Sequence, residues 1–116
     1  MASRHVNLVA WQRADDLFID VHQLTKTFPR DERFELTSQI RRAAYSVPAN
    51  IVEGFARRSL KERAHFLNIA EASLAEVGYC LHVAKRLGYM GLSEYEAFDL
   101  KAKQVAAPLV GLIRMG

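Results

Sequence analysis

The chain has 116 residues, half of them apolar and a quarter charged, with a formal charge of +3 and a single cysteine. That length suits one domain burying roughly two-thirds of its unfolded surface. The composition excludes a disordered chain, an intrachain disulfide framework or Cys-based zinc site, and a membrane span, since no apolar run nears the roughly 18 residues required. The opening MASRHVNLVAWQR carries too short an apolar run for a secretory signal, so the cytoplasm is the expected compartment.

Period-two alternation is nowhere sustained, whereas the helical period is strong. A first helix is predicted over about 9–27, where Ala10, Ala14, Leu17, Val21, Leu24 and Phe28 recur at steps of three or four, widened by Trp11 and Phe18. Phe28-Pro29 stops it, because the residue before proline is pushed out of the α region.

The second helix is predicted over about 32–57 on the stripe Leu36, Ile40, Ala43, Val47 and Ile51. Pro48 inside it removes one backbone bond and predicts a kink. Gly54 permits a close approach or a loosening near the end. A second apolar line, Tyr45, Ala49, Val52 and Ala56, falls away from the core stripe. A polar line of Gln39, Arg42, Ser46, Asn50 and Glu53 flanks the stripe. It is expected to be partly buried and hydrogen-bonded between helices or subunits, fixing register. The sharper alternative has Asn50 and Glu53 lining a ligand site.

Ser59-Leu60-Lys61-Glu62 is a capping box opening a third helix over about 60–87, closed by Gly88. This helix carries two apolar lines: Leu67, Ala70, Leu74, Gly78 and Leu81, then Phe66, Ile69, Ser73, Cys80 and Leu87. A second box, Ser93-Glu94-Tyr95-Glu96, is expected to open the fourth helix over about 94–114, with Pro108 kinking or fraying its end. Short links make neighbours antiparallel, so the expected fold is all-α: one up-down four-helix bundle over 1–116.

A helix in a monomeric bundle needs one apolar stripe. The surplus lines, Tyr45, Ala49, Val52 and Ala56 with Phe66, Ile69, Ser73 and Cys80, therefore predict a homo-oligomer interface. Arg41, Arg57, Arg58, Lys61 and Arg63 gather about the turn between the second and third helices, where they could neutralise the phosphates of RNA or DNA.

Catalytic signals are thin. Glu62 and His65 have the spacing of a di-metal bundle motif, but a second copy is missing, so no metal site is expected. No phosphate loop or His-Glu-x-x-His occurs. Cys80 and His82 do not face each other on a helix. Arg58 and His65, six residues apart, resemble the Arg-x4–6-His pattern of the dimeric HEPN ribonucleases and keep a ribonuclease reading as an alternative to a binding protein.

The string LTSQIRRAAYSVPANIVEG, from Leu36 to Gly54, with Trp11, Phe28-Pro29, Phe34, FLNIAEASLAEVGYCL and RLGYM, resembles the four helix bundle family, also called the 23S ribosomal RNA intervening-sequence protein family. The resemblance spans about Val9 to Leu112, and Gln39, Arg42, Ser46, Pro48, Asn50, Glu53, Gly54, Ser73 and Glu76 match its pattern. It implies a short bacterial up-down bundle without enzymatic activity, cofactor or small-molecule substrate. The accessory variability protein of diversity-generating retroelements looks like a relative and forms a five-fold barrel with a basic surface. A non-enzymatic pentamer that binds nucleic acid is therefore the leading expectation, and a protein scaffold without a nucleic-acid role is its alternative.

Overall fold

The computed structural model describes residues 4–115. It has four helices, α1 (Val9–Thr25), α2 (Leu36–Ala56), α3 (Leu60–Arg86) and α4 (Leu92–Met115), with one 3-10 turn at Arg30–Glu32 and no strand among the described residues. Around the bundle α1 packs on α2, α2 on α3, α3 on α4, and α4 back on α1, and all four contribute to one core. The molecule measures 44 × 24 × 22 Å. The expected stripes form its core: Ala14, Leu17 and Val21 meet Ile40, Val47 and Ile51, Leu67, Leu81, Val105 and Leu109, all but sealed from solvent.

The helix ends depart from the expected boundaries for local reasons. α1 stops at Thr25 because its last amides tighten to i→i−3 bonds, Lys26 to Gln23, Thr27 to Leu24 and Phe28 to Thr25, and the Thr27 hydroxyl also donates to the Leu24 carbonyl at 2.7 Å. α2 begins at Leu36 rather than 32 because Glu32 works from outside the helix. Its Oε1 accepts the Leu36 amide at 3.3 Å, while its Oε2 accepts the Tyr89 hydroxyl at 2.5 Å. That bond, with partial desolvation and then the charge of Glu32 adding, pushes the Tyr89 phenol up to about 12. The Tyr89 ring also packs against Phe28, with centroids 5.5 Å apart.

Pro48 is buried within an uninterrupted α2, and Pro108 does not fray α4, which continues to Met115. Ser59 caps α3, its Oγ accepting the Glu62 amide at 3.3 Å; only this half of the capping box forms. Gly88, at φ +81°, closes α3 in a Schellman turn, its amide donating to Lys85 and that of Tyr89 to Ala84. The second capping box is a correction: α4 starts at Leu92 with the Tyr95 amide bonded to the Gly91 carbonyl, which puts Ser93 inside the first turn rather than at the cap.

Candidate functional site

The surplus residues gather on the α2–α3 hairpin, and Gly54 sets how closely its helices approach. A Cβ there would lie 3.2 Å from the Arg63 carbonyl oxygen and 3.4 Å from the Phe66 Cβ, so only glycine fits without displacement. The close approach at this end brings the polar line of α2 against α3. Ser73 donates to Ser46 Oγ at 2.7 Å, and Asn50 Nδ2 donates to the Ser46 carbonyl at 2.8 Å and to its Oγ at 2.9 Å. Further along, Gln39 donates to Glu76. Ser46 and Asn50 are half-buried. Gln39, Arg42 and Glu53 are exposed, which corrects the expectation for those three; Glu53 instead pairs along its own helix with Arg57 at 2.9 Å.

The two halves of the expected interface behave differently. On α2, Tyr45 and Ala56 are exposed and Ala49 and Val52 half-buried, with all four outside the core; the Tyr45 ring meets the edge of Phe18 at 5.6 Å. On α3 the line is largely taken up within the chain. Cys80 is buried in the core, Ser73 is bonded to α2, and Phe66 packs beside Gly54 under the Arg57 guanidinium, 4.9 Å from its ring centroid. Ile69 is half-buried. Placing Cys80 on a surface interface is therefore corrected: its side chain faces the bundle interior, and burial, with the charge of Glu76 adding, pushes the thiol up to about 11.

A surface that the residue pattern did not single out lies at the other end of the hairpin. Phe34, Tyr79 and Leu87 are each more than half exposed, and with Leu36 and Val83 they line an open groove of about 670 Å³ edged by Gln39, Arg42 and Glu76. Tyr79 stands on α3 and Phe34 between charged residues before α2, and they share a groove because the start of α2 lies against the end of α3. The one signal available was two large aromatics at polar positions.

The basic cluster divides as well. Arg41 is a clamp between α1 and α2, its Nε donating to Thr25 Oγ1 at 2.7 Å and its Nη2 to the His22 carbonyl at 3.4 Å. Arg57 is held by Glu53 and Phe66, and Arg63 lies over Phe55 with its Cζ 4.2 Å from the centroid. Arg58 and Lys61 are exposed and unpaired among the described residues. His65 lines a shallow groove with Arg57, Lys61, Glu62 and Phe66, and Arg58 is not part of it. Among the described residues, no three His, Cys, Asp or Glu side chains are grouped to hold a metal. No described helix is long and apolar enough to cross a membrane.

The arrangement has counterparts. A solved structure from Bacteroides thetaiotaomicron, of a protein with unknown function from the S23 ribosomal protein family, superposes with a TM-score of 0.85 at 24% identity, covering 91% of this chain and 96% of that one. At that identity the likeness establishes the shared fold. No curated protein matches the chain. The family model described as 23S rRNA-intervening sequence protein matches residues 6–111, and the chain belongs to that family.

Proposed function

We propose that this chain is a non-enzymatic bundle that assembles with copies of itself, as a pentamer, and that the assembly contacts nucleic acid through Arg58 and Lys61 at the α2–α3 turn. The observation that carries the reading is the apolar surface left outside the core of one bundle: Tyr45, Phe34, Tyr79 and Leu87 are 53–80% exposed on or beside the same hairpin. The five-fold number rests only on the resemblance of the sequence string to the accessory variability protein. A charge of +3 per copy is weak alone, but five copies carry roughly +15. The family is named for a 23S rRNA intervening sequence, so RNA is the first polyanion to test.

The ribonuclease alternative has less behind it, because Arg58 does not share the groove that His65 lines. Sedimentation tests assembly, and a mass of a single 13.1 kDa chain at micromolar concentration removes the reading. RNA binding measured at ~50 and ~500 mM salt tests the second step, since counterion release makes affinity fall steeply with salt. Assembly without salt-sensitive binding would favour the scaffold alternative.

A further inference from the structure

The groove that His65 lines at the α2–α3 turn has a volume of about 510 Å³, within the range of roughly 300–1,000 Å³ common to small-ligand sites. Arg57 enters it from the C-cap of α2, and Lys61, Glu62, His65 and Phe66 from the first two turns of α3. Lys61 to His65 and Glu62 to Phe66 are steps of four, and Glu62 to His65 is a step of three, so these four share one face of the helix.

Rings and cations alternate along this face. Arg57 is held by Glu53 at 2.9 Å and lies over Phe66, its Cζ 4.9 Å from the ring centroid. His65 meets the Phe66 ring at 71°, with centroids 5.3 Å apart, and is itself exposed to solvent. Lys61 stands one helical turn before His65, exposed and without an ion-pair partner among the described residues. An exposed ring between a fixed guanidinium and an unpaired ammonium can stack a nucleic-acid base and neutralise the phosphate beside it. Glu62 decides between a base and a bare phosphate as the occupant. Its carboxylate repels an anion in the groove, but accepts the N–H donors on the edge of a base. Those donors are available where the base is unpaired, and are spent on the partner strand in a duplex.

We propose that this groove takes an unpaired base of a single-stranded RNA, stacked on His65 beside Arg57, with its N–H edge toward Glu62 and the adjoining phosphate on Lys61. The inference rests on the nucleic-acid reading above and deepens it: Arg58 and Lys61 attract any polyanion, whereas His65 and Glu62 add a contact that only an unpaired base can make.

Fluorescence anisotropy with the full chain at ~50 mM salt tests it on three probes of about twelve nucleotides: an unstructured RNA strand, the duplex of the same sequence, and an abasic strand carrying the same phosphates. The unstructured strand should bind roughly tenfold tighter than the abasic strand, the gain expected of one stacked base. His65→Ala should lower affinity for the unstructured strand about fivefold or more, and leave the abasic strand and the duplex unchanged. Lys61→Gln should weaken all three, because it removes a phosphate contact. Circular dichroism confirms that each variant folds. No binding of any probe removes the nucleic-acid reading and this inference together. Equal affinity for the unstructured and abasic strands overturns the inference alone and leaves that reading standing. So does unchanged affinity of folded His65→Ala for the unstructured strand. Should that variant not fold, the comparison of strands on the wild-type chain decides alone.

Discussion

Ser73 of α3 donates to Ser46 of α2 across 2.7 Å, and Asn50 donates to the same oxygen from one turn further along α2, at 2.9 Å. One hydroxyl thus serves two donors at a half-buried seam. Ser46→Ala leaves Ser73 without its acceptor and Asn50 with only the residue-46 carbonyl, and should cost about 1–2 kcal/mol in urea unfolding. Ser73→Ala removes a single bond, and should cost about 1 kcal/mol or less. A double-mutant cycle between them should show coupling of ~0.5 kcal/mol or more; additive losses would mean that the bond contributes nothing to stability.

Gly54 and Gly78 should respond in opposite directions to alanine. At Gly54 the added Cβ meets a backbone carbonyl at 3.2 Å, which cannot yield without moving α3, so Gly54→Ala should destabilise by ~1–3 kcal/mol. At Gly78 nothing lies within 4 Å, and Gly78→Ala should stabilise by ~0.5–1 kcal/mol through helix propensity. Thermal melts of the two variants read both signs.

Cys80 should be inert while the chain is folded. Its thiol is pushed from an ordinary 9.0 to about 11, so the folded chain keeps its proton where the unfolded chain has begun to lose it. Its contribution to stability is intact below about pH 9 and is lost as pH rises towards 11. Alkylation by iodoacetamide at pH 8 should be slow until urea unfolds the chain. Urea midpoints should fall between pH 9 and 11, and less so in Cys80→Ala.

The arginines separate by the same logic. Arg41→Met should cost ~1–2 kcal/mol of stability, since it breaks the clamp on Thr25 and His22, without altering the salt dependence of RNA binding. Arg58→Gln combined with Lys61→Gln should change stability by less than ~0.5 kcal/mol and lower the salt slope by roughly 2. An unchanged slope would place the nucleic-acid contact elsewhere.

The helices and core were legible because burial repeats every three to four residues, and Ala10 through Val21 or Leu67 through Leu81 record that repeat directly. Gly88 and the Ser59 cap were legible for a similar reason: each acts on backbone within one turn of itself. What escaped were consequences of two helices meeting. Nothing in the spacing of Cys80 says whether it faces core or partner, because a residue at the margin of the stripe turns inward only when α2 approaches closely. Nor does a run of arginines reveal that Arg41 spends its donors on Thr25 and Arg63 its face on Phe55. Glu32, inside a helical pattern, instead serves from outside as the acceptor for Leu36, a side-chain choice that periodicity does not register.

The double use of Glu32 has a mechanical consequence. By holding the Leu36 amide and the Tyr89 hydroxyl at once, it ties the α1–α2 connection to the α3–α4 connection at one end of the barrel of helices. The opposite end, where α2 turns into α3 and α4 finishes, is held by cation–ring stacking and a glycine contact. The two ends of the bundle are therefore held differently, one by a side chain shared between two connections and the other by stacking and close packing. Backbone amides of Phe55 and Ile113 should exchange with solvent deuterium before those of Val21 and Leu81.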